Sequence, residues 1–86
     1  MRKTQKRRIV YLLRELKFSY TTADFLARAM RVENGLSGPT TDQVAHFLRG
    51  LNHLGIVNAR MGRNKTYSYQ LQAGWTVDDI ERELLL

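Results

Sequence analysis

The 86-residue sequence contains no cysteine. Disulfides, thiolate metal sites and cysteine nucleophiles are excluded together, and a reducing compartment is the expected setting. Long apolar runs are also missing. The longest candidate, Ile9 to Leu13, is followed at once by Arg14 and Glu15. It is too short to span a bilayer, and it lacks the small-residue cleavage site of a secretory signal. Proline occurs once, at Pro39, and the six glycines form no phosphate-cradling loop. Acidic residues are scarce, 8 against 14 lysines and arginines, for a net charge of +6.

That charge is unevenly spread. Residues 75–86 hold Asp78, Asp79, Glu81 and Glu83 against Arg82, a local −3, which leaves +9 on residues 1–74. A basic body with an acidic tail suits a polyanionic partner for the body. At this length one domain is expected, with a thin core that an oligomer would reinforce. The expected body is 1–74, and 75–86 forms a C-terminal helix.

Glycine and proline cut the chain into blocks. In the first, a helix over about residues 4–17, Ile9, Leu12, Leu13 and Leu16 make one apolar stripe, leaving Lys6, Arg7, Arg14 and Lys17 on other faces. In the second, Thr21 and Asp24 have capping-box spacing, and Phe25, Leu26, Ala29 and Met30 repeat at helical spacing as far as Arg31 to Glu33. The third helix spans 40–54. Thr40 and Gln43 have capping-box spacing, Val44, Phe47, Leu48 and Leu51 form the inward stripe, and Gly55 is the terminator. Strands are expected at Ile56–Arg60 and Thr66–Leu71, the latter with Tyr67, Tyr69 and Leu71 on one face, joined by the basic turn Met61–Lys65. Thr76 caps a last helix, Val77–Leu85, with Trp75 and Ile80 at staple positions. The fold class is mainly α with a small antiparallel β-hairpin, in the order α-α-α-β-β-α.

The run Val44-x-x-x-Leu48-x-x-Leu51-x-x-Leu54-Gly55-Ile56-Val57, followed by basic turn residues and Tyr69-x-Leu71, resembles the winged helix-turn-helix superfamily of small prokaryotic transcription regulators. With the first two helices the resemblance covers about residues 5–72, and it rests on the order of elements, because no single short motif is diagnostic. The connection from Met30 to Pro39 is longer than the usual helix-turn-helix turn. The resemblance implies that helix 40–54 reads the major groove, and that wing 60–66 lies along the backbone or in the minor groove of double-stranded DNA.

The residues fit that chemistry. At 100° per residue, the arc opposite the apolar stripe holds Asp42, Ala45, His46, Arg49, Gly50 and His53, flanked by Gln43 and Asn52. Gln suits adenine, Arg suits guanine, and Asp accepts from cytosine. Thr40 and Thr41 sit where hydroxyls and free N–H groups meet phosphate. Arg60, Arg63, Asn64 and Lys65 supply the wing, and Lys6 and Arg7 belong to a basic N-terminal run. An exposed mid-helix glycine such as Gly50 costs about 1 kcal/mol against alanine, which calls for a reason such as a close-approaching surface.

No nucleophile–base–orienter set can be assembled. His46 and His53 lie seven apart with nothing to complete a metal site. The expectation is therefore a duplex-DNA-binding transcription regulator, not an enzyme, with no cofactor, metal, membrane or small-molecule substrate. Its expected location is cytoplasmic, nucleoid-associated in a prokaryote. The alternative is a winged-helix protein–protein interaction module in a larger assembly, and RNA or single-strand binding has less support. Val77, Ile80, Leu84, Leu85 and Leu86 form an apolar edge on the last helix. It either packs back on the first helix or pairs two chains, and a homodimer through 75–86 is expected.

Overall fold

Four amphipathic helices and three short strands close around one apolar core. The computed structural model describes residues 1–16, 19–35 and 38–84. Helix α1 (Lys3–Glu15) buries Ile9, Val10 and Leu13, with Leu12 and Leu16 half-buried; Lys17, expected at its end, lies outside the described residues. Strand β1 (Thr21–Thr22) leads into α2 (Ala23–Asn34). Helix α3 (Thr41–His53) precedes β2 (Val57–Met61) and β3 (Tyr67–Leu71), and α4 (Val77–Leu84) ends the fold. The protein is therefore a mixed α+β fold of four helices and a three-stranded antiparallel sheet, ordered β1-β3-β2. Among the described residues no helix is long and apolar enough to cross a membrane.

Strand β1 corrects the expected two-stranded hairpin. Thr21 pairs with Tyr69 and Thr22 with Ser68, so Thr21 is buried in the sheet. The helix cap moves one residue on: Thr22 Oγ1 accepts from the Phe25 N–H at 3.1 Å. The buried stripe of α2 moves with it. Ala23, Leu26, Ala27 and Met30 face the core, whereas Phe25 is 55% exposed. The helical period is as expected and the phase differs, because two alanines mark the close-packed face and a phenylalanine lies off it.

Helix α3 sits as expected. Thr40 Oγ1 accepts from the Gln43 N–H, and Gln43 Oε1 accepts from the Thr40 N–H. Val44, Leu48 and Leu51 are fully buried, and Phe47 is half-buried at the rim. Gly55 ends the helix at φ 78°, a left-handed conformation that glycine adopts freely. The Ile56 N–H then bonds back to the Leu51 carbonyl at 2.9 Å, turning the chain straight into β2.

The last helix packs back on α1. Ile80 joins the same core as Ile9, Trp75 packs against it, and Arg7 pairs with Glu81. Ile80 is thus consumed within the chain and is not on offer to a second copy. Leu85 and Leu86, and the side chains of Val77 and Leu84, lie outside the described residues.

Two predictions follow from this packing. A Cβ on Gly38 would meet Arg31 Cγ at 3.0 Å, Cα at 3.2 Å and the backbone N at 3.3 Å. Helix backbone cannot recede, so Gly38→Ala should destabilise the fold by about 1–3 kcal/mol, read as a lower midpoint in urea unfolding. At α4, the Asp79 carboxylate accepts from the Thr76 N–H, and the Thr76 hydroxyl accepts from the Asp79 N–H. Its hydrogen bonds to Thr76, helped by Arg82, hold its pKa below the ordinary carboxylate value. A depressed acid supports the fold above that ordinary value and loses the support as pH falls through its lowered one. Amide protection in α4, measured relative to the intrinsic exchange rate at each pH, should therefore fall in acid, and Asp79→Asn should remove that component of the pH dependence.

Candidate nucleic-acid interface

The stripe that anchors α3 also fixes what the helix turns outward. Asp42, His46, Arg49 and His53 form its exposed ridge. Two grooves flank that ridge. One, of about 470 Å3, runs toward the start of α1 and takes Gln43, His46, Phe47 and Gly50 on one wall and Lys6 on the other. The second, of about 450 Å3, runs toward the sheet and holds Thr41, Ala45, Arg49 and Asn52 opposite Ala59, Thr66 and Tyr67.

The second groove is where helix and hairpin meet. Asn52 Nδ2 donates to the Val57 carbonyl at 3.0 Å, tying the last turn of α3 to the first residue of β2. Burial raises the Tyr69 pKa above its ordinary value, and the Arg49 guanidinium is close enough to offset part of that rise. Thr66 and Tyr67, at the base of the hairpin turn, extend this wall into solvent. Sequence alternation placed Tyr67 with Tyr69 and Leu71, but Tyr67 is 47% exposed because the strand outruns the core.

The turn itself is a short 3-10 segment, Arg63–Lys65, closed by the Gly62 N–H on the Thr66 carbonyl at 2.8 Å. Asn64 and Lys65 both have positive φ, 63° and 59°. Asparagine tolerates that region, whereas lysine is held there at a cost of order 1 kcal/mol. Arg63, Asn64 and Lys65 are all exposed.

Several expected contact residues turn out to be engaged. Thr40 and Gln43 are used in capping each other. The Thr41 hydroxyl donates to Asp24, whose carboxylate also pairs with Arg28 at 3.0 Å, so an acid occupies the place assigned to phosphate. Arg7 faces α4 through Glu81, away from the α3 ridge. Arg60 stacks over Tyr20 at 4.3 Å from the ring centroid, on the sheet face opposite Ala59 and α3. Lys6 lies 5.7 Å from the Phe47 ring, beside the ridge. The structure therefore sets Lys6 on one flank of the His46–Arg49–His53 ridge and Asn52 with the hairpin base on the other, and takes Arg7 and Arg60 elsewhere.

The chain matches no protein-family model, no curated protein and no solved structure. Among the described residues, no group of three His, Cys, Asp or Glu side chains comes together.

Gly50 is exposed in the middle of α3, and a Cβ built on it meets nothing within 4 Å. Among the described residues no contact requires a glycine there. Gly50→Ala should therefore raise stability by about 1 kcal/mol, measurable as a higher thermal midpoint. An unchanged or lower midpoint would mean that glycine serves the fold itself.

Proposed function

We propose that this protein is a winged helix-turn-helix domain that binds duplex DNA, with α3 in the major groove and the hairpin turn at the phosphate backbone or minor groove, in the service of transcription control. The observation that carries the reading is the outward face of α3. It presents His46, Arg49 and His53 between the Lys6 side of α1 and the hairpin that leads to Arg63 and Lys65. A firmly buried helix with a polar ridge and cations on both flanks has the shape and charge that groove insertion needs. The net +9 on residues 1–74 adds attraction for the backbone at long range.

Roles divide by position. Arg49 stands on the ridge, where a guanidinium reaches guanine O6 and N7. Lys65 and Arg63 stand at the turn, where they neutralise phosphate or enter a narrow minor groove. Asn52 keeps its carbonyl oxygen after donating to Val57. Gln43 reads a base only by releasing its cap, so its main work is to fix the start of α3.

One observation favours the protein-interaction reading as well. Phe25 and Val32, seven residues apart on α2, are 55% and 87% exposed. They are two exposed apolar side chains on one face of α2, with Arg28 between them, and a regulator that works by contacting a second protein would present such groups. A homodimer through residues 75–86 remains part of the proposal, carried by the apolar edge of that segment apart from Ile80, which is buried within the chain.

The test is a fluorescence-anisotropy titration with random duplex DNA at two or more salt concentrations. Each neutralised phosphate contributes about −0.9 to the log–log slope, so a handful of contacts gives a steep fall in affinity with salt. A flat response rejects duplex binding and leaves the protein-interaction reading. On a selected site, Arg49→Ala should cost about 1–3 kcal/mol and change base preference. Lys65→Ala should weaken every sequence alike. If Arg49→Ala leaves the preference profile untouched, the ridge does not face the bases.

A further inference from the structure

The groove between α1 and α3 has features that DNA reading does not account for. Its floor is apolar, made by the Phe47 ring and Leu51, with Leu54 at its far end. Leu54 follows the last turn of α3 and is 53% exposed, although its neighbour Leu51 is fully buried. Gly50 opens the wall between them, and nothing stands within 4 Å of where its Cβ would be. At about 470 Å3 the groove lies in the range of small-molecule sites, which are mostly apolar with a few placed polar groups.

The polar groups sit at the other end. Lys6 reaches over Phe47, and among the described residues it makes no ion pair. His46 and the side chain of Gln43 are beside it. Among the described residues Asp42 is the one carboxylate on this rim, and it lies in the first turn of α3, where the positive end of the helix already favours its charge. The mouth therefore offers an unpaired ammonium, an imidazole and an amide above an apolar trough.

We propose that this groove binds a small amphipathic carboxylic acid, with its carboxylate on Lys6 and its alkyl or aryl body along Phe47, Gly50 and Leu54. The ammonium recognises the head as a point charge, and the trough takes the tail out of water. Gly50 is the residue that keeps the trough open. His46 and Gly50 also belong to the ridge, so a bound acid and a DNA groove exclude one another. That consequence rests on the DNA reading, whereas binding of the acid does not.

The test uses the full chain, isotope-labelled, titrated with decanoate in the absence of DNA and followed by amide chemical shifts. Decanol and decylamine serve as neutral and cationic controls. Saturable shifts centred on Lys6, His46, Gly50 and Leu54 are expected, with decanoate binding about tenfold tighter than decanol. Lys6→Gln should remove that advantage and leave decanol binding unchanged. Gly50→Leu fills the trough from an exposed helix position and should abolish both. Equal binding of acid and alcohol, stronger binding of the amine, or shifts mapping elsewhere would each overturn the proposal. So would groove shifts that follow protein concentration alone, which would mean a second copy occupies the groove. A DNA titration of Gly50→Leu separates the two readings. Loss of decanoate binding with intact DNA affinity rejects only the shared face.

Discussion

Burial of Val44, Leu48 and Leu51 on one side of α3 sets the orientation of everything that could act. The three side chains are fully enclosed by α2, α1 and the sheet. A helix held so firmly cannot roll without exposing several apolar groups, each worth about 1.5–3 kcal/mol on transfer to water. The rotation that buries them fixes Asp42, His46, Arg49 and His53 outward. The ends are fixed as firmly as the roll. The reciprocal Thr40–Gln43 cap defines the first turn, and Gly55 at positive φ defines the last. The outward ridge is thus a rigid feature of the core, not a mobile loop that would need ordering on contact.

The hairpin inherits its position from the same helix. The Ile56 N–H returns to the Leu51 carbonyl, and Asn52 holds the Val57 carbonyl, so β2 leaves α3 through two bonds within a few residues. Strand β1 then pairs with β3 on its other side. The two residues of β1 are a small addition to the sheet, but they immediately precede α2. The start of α2, the centre of the sheet and the hairpin are therefore linked through one strand. A load applied at the turn of residues 63–65 is carried into the core by β3, through Tyr69.

Most of this was legible in the sequence where pattern and chemistry coincide. The start, stripe and end of α3 each carry a local signal: a capping pair, a seven-residue apolar period and a glycine. The α4 cap at Thr76 and Asp79 is readable in the same way. What escaped was set by distant partners. Thr21 and Thr22 are equivalent as helix caps until Tyr69 claims Thr21 for the sheet. Phe25 suggests a core residue by size, yet close packing of α2 requires the small side chains of Ala23 and Ala27, and the larger ring is displaced. The fates of Arg7 and Thr41 depend on Glu81 and Asp24, 74 and 17 residues away. Spacing along one helix carries no trace of such pairs.

Departures from local preference then become informative. A chain that caps its helices at Thr22, Thr40 and Thr76 follows local rules closely. Against that background two positions give stability away with no compensating contact among the described residues. Gly50 weakens the middle of α3 where alanine would fit, and Lys65 takes a left-handed conformation that glycine would take without strain. Consistency across levels is the usual condition of a specified fold, and violations tend to fall at sites that meet something else. The two lie on separate elements, one on the helix face and one at the tip of the hairpin. Both positions are exposed, so core packing gives no reason for either choice. Glycine at one position admits a surface to the helix backbone, and lysine at the other presents a cation to it. One surface that met helix face and hairpin tip together would explain both choices at once, whereas a ligand seated in the groove between α1 and α3 would explain Gly50 alone.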